Sequence, residues 1–401
     1  MSETRVLLKT ETALDNHTLN LRQIVVRLAP MLVVSWTRVY AVVLPGVIGT
    51  FDLSLSQAGL FVATIEMGSI LSMLVLGVLI ERMGAVRVLR FSLPVIAASL
   101  LVMTLIPAFG LLLPVLLLLG SGMAWSATGV NMLMAATGEQ RVFYLGVLHS
   151  AFGAFSVAAP LVAGIVLAWD RWQTYYQMVA LITLIIAVLV WKFEKGNGPS
   201  LQTDGHLPRT GGVSSSFQAG KTVVSLIGVC LGVFALAGVQ GIFATWSYLY
   251  VASMYDVGHE RATWAPALLW VGILSGRIVL IGLSRRYSAR TLLMASSLLP
   301  GAALVVERLC SSYWVALASL LVAGVGVSGT YQLGTAWAAE RAPECVGTAS
   351  TAIMTFAWLG IGVWPWVTGV VADHFSFSAL IFVMLAGSAM AFMAFSATRE
   401  N

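Results

Sequence analysis

The stretch that decides the fold is residues 57–87, where the apolar segment QAGLFVATIEMGSILSMLVLGVLI (57–80) runs directly into the charged loop ERMGAVR (81–87). The apolar segment contains a single charged side chain, Glu66. A helix that crosses a bilayer needs roughly 20 consecutive, mainly apolar residues. The segment therefore predicts a membrane span, and the loop marks the point where the chain leaves the bilayer.

Apolar stretches of spanning length recur along the whole chain. The composition agrees with a membrane protein, because 59% of the 401 residues are hydrophobic and 10% are charged, against roughly 25% charged in soluble domains. The sequence predicts an all-α membrane protein with twelve transmembrane helices. The predicted spans are 25–47, 57–80, 88–106, 110–137, 142–168, 173–193, 222–251, 262–284, 291–307, 312–338, 346–371 and 377–397.

The one long polar stretch lies in the middle of the chain and is rich in glycine, proline and serine, which is typical of a linker. It divides the chain into two six-helix bundles. The predicted organisation is a cytoplasmic N-terminal segment (1–24), an N-terminal bundle (25–193), a cytoplasmic linker (194–221), a C-terminal bundle (222–397) and a cytoplasmic tail (398–401).

The distribution of arginine and lysine predicts the orientation in the membrane. With a cytoplasmic N-terminus, nearly all 22 basic residues fall in cytoplasmic segments; only Arg171, Arg261 and Arg308 fall in outer loops, and Arg38 and Arg277 fall within spans. The positive-inside rule therefore predicts that both termini are cytoplasmic. We expect a multi-pass protein of the bacterial inner membrane. The basic excess is explained by topology and does not indicate nucleic-acid binding.

The two halves repeat each other. Gly120-Ser121-Gly122 in span four recurs as Gly324-Val325-Gly326 in span ten, and Leu79-x-x-Arg82 recurs at the same offset as Leu283-x-x-Arg286. Because each half has six spans, the second half enters the membrane in the same sense as the first. This parallel repeat predicts two bundles related by a pseudo-two-fold axis that rock about a central site.

Charged side chains are costly inside a bilayer, roughly 2.5–3.5 kcal/mol each on insertion scales. Arg38 lies in span one, and Glu66 is the only carboxylate that we assign within a span. Arg38 has two interpretations, an anion-binding guanidinium or the ion-pair partner of Glu66. Glu66 is in turn a candidate proton-coupling group or a fixed structural partner. A bent helix at Arg38, which precedes Tyr40 and Pro45, would line a central cavity.

The second half places Arg277 in span eight, where it would contact substrate or extend to the cytoplasmic interface. His149 in span five lies beside a stripe of small residues, and is either a proton relay or a packing histidine. Polar and aromatic side chains of spans seven, ten and eleven complete the predicted cavity: Gln240, Tyr331, Gln332 and Trp358.

The sequence contains no P-loop and no Cys or His spacing typical of a metal site. We therefore expect no cofactor, no metal, no direct use of ATP and no enzymatic activity.

The loop Gly77-Val78-Leu79-Ile80-Glu81-Arg82-Met83-Gly84-Ala85-Val86-Arg87 resembles the motif G-x-L-x-D-R-x-G-x-x-R between spans two and three of the major facilitator superfamily. Glu81 stands where the family has aspartate. The resemblance implies a gate in which Gly77 and Gly84 permit close helix approach. Glu81, Arg82 and Arg87 would form ion pairs between bundles in one state. The alternative is a positively charged loop without a gating role.

Within the superfamily, the chain looks most like the sugar-proton symporter branch related to fucose permease. Gly120-x-Gly122 with Asn131 in span four and Leu148–Gly153 with Pro160 in span five carry this resemblance, which makes Asn131 a candidate substrate contact. That branch has titrating carboxylates in spans one and four, where this chain has Arg38 and Asn131. The sugar specificity and the proton site are therefore not carried over.

These features together predict a secondary active transporter working by alternating access. We expect a small polar organic solute, an anion because of Arg38 and Arg277, coupled to protons through Glu66, and a monomer in the lipid bilayer. The alternatives are a neutral sugar-proton symporter, an efflux carrier for drugs, siderophores or other metabolites, and a non-transporting receptor or membrane-embedded enzyme.

Overall fold

The computed structural model describes residues 19–137, 140–169, 171–194, 216–343 and 346–398. Every regular element in these ranges is helical. Within them, eleven helices are long and apolar enough to cross a bilayer, and two shorter helices that meet at a 47° bend make up a twelfth span. The predicted all-α membrane fold is confirmed.

The helices are numbered by span. Three of them are interrupted: α1 (Leu21–Thr37 and Tyr40–Phe51), α8 (His259–Ala262 and Trp264–Leu283) and α10 (Tyr313–Val327 and Thr330–Arg341). The others are α2 (Leu55–Met83), α3 (Ala85–Met103), α4 (Phe109–Ala135), α5 (Arg141–Trp169), α6 (Trp172–Phe193), α7 (Ser216–Tyr255), α9 (Ala289–Cys310), α11 (Val346–His374) and α12 (Leu380–Ala397), which follows a 3₁₀ turn (Phe377–Ala379).

Several helix ends differ from the sequence prediction. The helix α1 begins at Leu21, inside the predicted segment 1–24, because Asn20 and Gln23 form a reciprocal capping box there. The helix α7 begins at Ser216, so the last part of the predicted linker 194–221 is helical. Residues 195–215 of that linker, residues 1–18 and residues 399–401 of the tail lie outside the described residues.

The sequence repeat corresponds to one helix-packing arrangement made twice. A Cβ atom added at Gly120 in α4 would collide with the backbone oxygen of Ile65 in α2, and one added at Gly324 in α10 would collide with that of Leu269 in α8. Both glycines are therefore required for backbone-to-backbone contact between neighbouring helices. The equivalent contacts lie at equivalent positions of the two halves, as a parallel repeat requires.

The helix α1 is interrupted at Arg38 and Val39, which lie between its two segments. The interruption frees backbone carbonyl groups, and two tyrosines of α6 bind them. The Tyr175 hydroxyl donates to the Trp36 oxygen at 2.8 Å, and the Tyr176 hydroxyl lies 3.5 Å from the Thr37 oxygen. The bend expected near Arg38 is present, while Pro45 lies inside the second helical segment.

The halves contact each other closely at one end of the molecule. This end comprises the start of α2, the start of α8 and the end of α11, where Asp373 lies, and we call it the Asp373 end. Here the His259 Nε2 atom lies 2.8 Å from the Gly164 oxygen of α5 in the other half. The opposite end, where α2 meets α3 at Gly84, is called the Gly84 end.

Candidate functional site

The interruption of α1 presents Arg38 to Glu66 of α2. One guanidinium nitrogen of Arg38, Nη2, lies 3.2 Å from Glu66 Oε2, and the Tyr40 hydroxyl lies 3.3 Å from Glu66 Oε1. The Glu66 side chain is 1% exposed and that of Arg38 is 16% exposed. Of the two interpretations for Arg38, the structure therefore contains the ion pair, and it places the pair deep within the helix bundle.

Arg38 also contacts the C-terminal half. Its guanidinium carbon lies 4.5 Å from the ring centroid of Trp358 in α11, a cation–π geometry. Glu66 lies at the same boundary, because a Cβ atom added at Gly362 of α11 would come within 3.2 Å of the Glu66 Cβ atom. The ion pair is thus placed where the two bundles meet, so a movement between the bundles would alter its surroundings.

A second cluster lies at a cavity of about 340 Å³ between α5, α8 and α10. Its polar lining includes His149, Ser150, Arg277 and Gln332, and the remainder is largely aliphatic. The buried Nε atom of Arg277 has no hydrogen-bond partner. In the ranges that the structure describes, Arg277 also has no carboxylate within ion-pair distance. The guanidinium thus presents an uncompensated positive charge to an interdomain cavity.

Tyr331 of α10 connects the two clusters. Its phenol group is close enough to interact electrostatically with Arg38, Glu66 and Arg277, and Arg277 in turn interacts with His149. Two aromatic rings also join the halves, since Phe152 of α5 and Trp270 of α8 meet edge to face with centroids 6.0 Å apart. The structure therefore brings most of the predicted site residues into one region.

Two residues predicted to contact the substrate, Asn131 and Gln240, have less support from the structure. Asn131 is half-buried, and its side-chain nitrogen donates to the Ala127 oxygen of its own helix at 2.8 Å. Gln240 is 8% exposed in α7, and the structure gives no contact that joins it to Arg38 or Arg277. Both remain predictions as substrate contacts.

The predicted gating loop is exposed in this conformation. Glu81, Arg82 and Arg87 are on the surface, and none of them forms an ion pair within the described part of the chain. Gly84 has a φ of 80°, which explains the glycine between α2 and α3. At Gly77 an added Cβ atom would meet nothing within 4 Å, so the close approach expected of this glycine is absent here.

The sequence interpretation missed two polar groups. Tyr40 was noted only as a neighbour of Arg38, yet its hydroxyl donates a hydrogen bond to Glu66. Its position two residues after Arg38, beside the expected bend, could have indicated this contact. The statement that Glu66 is the only carboxylate within a span was wrong. Glu307 lies within α9, is 1% exposed and accepts hydrogen bonds from Tyr250 and Tyr255.

The side chains gathered here are suited to reversible binding of a small solute. Guanidinium, imidazole and amide groups can bind a polar ligand, and the aliphatic and aromatic walls can cover its apolar part. Among the described residues, no group of three or more His, Cys, Asp or Glu side chains could hold a metal ion. A binding site between two repeated helix bundles is the architecture of a membrane transporter.

Comparisons with known proteins establish the family. The sequence profile of the Major Facilitator Superfamily matches residues 31–365. The chain belongs to this superfamily, and it is a transporter rather than an enzyme. A comparison with curated protein sequences finds no match.

Solved structures agree on the fold. The structure of a mutant of the nucleoside transporter NupG aligns with a TM-score of 0.80 at 13% identity, covering 95% of this chain and 100% of that chain. A D-xylose-proton symporter aligns with a TM-score of 0.73 at 14% identity over 94% and 96%. FucP in an outward conformation aligns with a TM-score of 0.61 at 17% identity over 94% and 99%.

Proposed function

We propose that the chain is a secondary active transporter that moves a small organic anion by alternating access. The observation that carries this proposal is the uncompensated Arg277 guanidinium at the interdomain cavity. A guanidinium can bind a carboxylate through two parallel hydrogen bonds, and the low dielectric of the bilayer strengthens the attraction. The aliphatic walls favour a carboxylate with an apolar body.

We further propose that Glu66 couples transport to protons. Arg38 contacts both Glu66 and Trp358 of α11. An anion that binds near Arg38 would therefore compete with Glu66 for the guanidinium. Loss of the ion pair would leave a buried carboxylate that takes up a proton. His149, which interacts electrostatically with Arg277, is the second candidate for proton transfer.

The test is a thermal-stability screen of the purified protein against small carboxylates and neutral sugars. A ligand that binds only the folded state stabilises it by roughly 2.7 kcal/mol at one hundred times its Kd. We expect stabilisation by a carboxylate that Arg277→Gln removes. Arg285→Gln, which neutralises an exposed arginine just beyond the same helix, is the matched control. Stabilisation by a carboxylate that Arg277→Gln leaves unchanged would refute the role of Arg277.

A second candidate is transport of a neutral polar solute such as a sugar or nucleoside. It is favoured by the pairing of Arg38 with Glu66, which cancels one of the two positive charges. Two of the structural neighbours are a nucleoside transporter and a D-xylose-proton symporter. In the same screen, stabilisation by a neutral ligand and by no carboxylate would favour this candidate. Strong discrimination among small carboxylates would count against efflux of drugs or siderophores. Flux of solute into proteoliposomes would exclude a purely sensory role.

The arginine distribution supports cytoplasmic termini in a bacterial inner membrane, with the Asp373 end facing outward and the Gly84 end facing the cytoplasm. The contacts at the Asp373 end and the exposed loop at Glu81–Arg87 support an inward-facing conformation. The loop would form its interdomain contacts in the outward-facing state. We propose that the functional unit is a monomer.

A further inference from the structure

The end of α11 is attached to the start of α2 by a carboxylate. Asp373 Oδ1 accepts a hydrogen bond from the Leu55 backbone nitrogen at 2.8 Å, and Oδ2 accepts one from the Ser56 nitrogen at 2.9 Å. These nitrogens belong to the first turn of α2, whose amides have no partner within the helix. A side chain of the C-terminal half therefore caps a helix of the N-terminal half.

The backbones of the two helices pack directly against each other beside this cap. A Cβ atom at Gly369 of α11 would collide with the Leu55 oxygen. One at Gly59 of α2 would lie 2.7 Å from the Pro365 oxygen. Only glycine permits this separation at either position. The cap and the two glycines thus form one continuous contact between the bundles at the Asp373 end.

We propose that Asp373 is a gating residue that holds the two bundles together at this end. This role rests on the proposed function, in which the protein works by alternating access. Opening at the Asp373 end must separate α11 from α2. That movement breaks two charge-assisted hydrogen bonds and removes an anion from the positive end of a helix dipole. Asp373 therefore sets how much of the protein is closed at this end, without contacting the transported solute.

The test measures the separation of the bundles with spin labels in the full-length protein. Labels replace Leu105 and Leu309, which are exposed at the Asp373 end of the N-terminal and C-terminal halves, on a cysteine-free background. We expect Asp373→Ala to raise the ratio of open to closed protein roughly tenfold, the scale of losing a charged helix cap. Asp52→Asn removes an exposed charge from the same end and should leave the ratio unchanged.

A second variant removes a donor instead of the acceptor. Leu55 is the first residue of α2, where proline is well tolerated, and Ser54 has φ −68° and ψ 164°, a conformation compatible with a following proline. Leu55→Pro eliminates one of the two amides that bond Asp373, whereas Leu55→Ala keeps it. We expect the proline variant to open this end more than the alanine variant does.

An unchanged ratio in both Asp373→Ala and Leu55→Pro would overturn the proposal, as would an equal change in Asp52→Asn. The distances report conformation and not transport. Failure of the anion proposal would therefore appear as absent carboxylate binding by a protein whose Asp373 end still opens in these variants.

Discussion

Breaking the buried ion pair between Arg38 and Glu66 should destabilise the protein in a strongly non-additive way. The two charged groups lie 3.2 Å apart, with side chains 16% and 1% exposed. Removing one partner of a buried pair leaves an uncompensated charge and costs about 3–5 kcal/mol. The lower end of this range of destabilisation applies to Glu66→Gln, because Arg38 keeps its cation–π contact with Trp358 and some access to solvent.

The assay is a double-mutant cycle in mixed detergent micelles, with unfolding followed by tryptophan fluorescence. We expect about 3 kcal/mol for Glu66→Gln and about 4 kcal/mol for Arg38→Gln. The double variant should be less destabilised than the sum of the two, with a coupling of about 2 kcal/mol. Effects that add to within about 0.5 kcal/mol would refute a direct interaction in the folded protein.

A second ion pair in the same bundle provides the functional control. The Arg27 Nε atom lies 2.8 Å from Glu194 Oε1, with side chains 14% and 6% exposed, so its burial is similar. Glu194→Gln should cost comparable stability while solute accumulation in proteoliposomes is retained. Glu66→Gln should abolish proton-driven accumulation. Equal loss of accumulation in both variants would show that stability, and not coupling, explains the effect of Glu66.

Two further predictions concern packing and the helix interruption, and thermal unfolding in detergent tests both. Gly120→Ala should destabilise the protein by about 1–3 kcal/mol, because its methyl group would collide with the backbone of α2. Gly77→Ala places its methyl group in open space, so it should be neutral or stabilising by up to about 1 kcal/mol. Equal effects of the two variants would contradict the packing of α4 against α2. Tyr175→Phe should cost about 1–2 kcal/mol by leaving the Trp36 oxygen unbonded. Tyr176→Phe should cost less, because its bond is long at 3.5 Å, and a larger cost for Tyr176→Phe would refute this ranking.

Much of the fold could be predicted from the sequence because the bilayer imposes length and hydropathy on each span. The repeat of Gly120 and Gly324 predicted two related bundles, and the structure added that both glycines allow neighbouring helix backbones to touch. The ends of the helices were less predictable. The start of α7 at Ser216 lies in a polar segment whose composition is typical of a linker, and the apolar pattern alone does not indicate a helix there.

The residues of the candidate site were found as polar exceptions in apolar spans, but the sequence left open whether Arg38 pairs with Glu66 and did not reveal the contacts of Tyr40 and Trp358. Arg38, Glu66 and Arg277 stand out because charge in a membrane is costly. Their pairing depends on how each helix is rotated about its axis, and lipid is as apolar as the protein interior, so hydropathy does not reveal the buried face. Glu307 was missed because it lies near a helix end.

The sequence by itself determined the class of protein, the number of spans, the internal repeat and three of the charged residues within the membrane, Arg38, Glu66 and Arg277. The tertiary structure decided that Arg38 pairs with Glu66, that Arg277 has an uncompensated charge at a cavity, and that Asp373 caps a helix of the other half. The physical reason is distance along the chain. Asp373 and Leu55 are 318 residues apart, and only the packing of one bundle against the other brings them within a hydrogen bond.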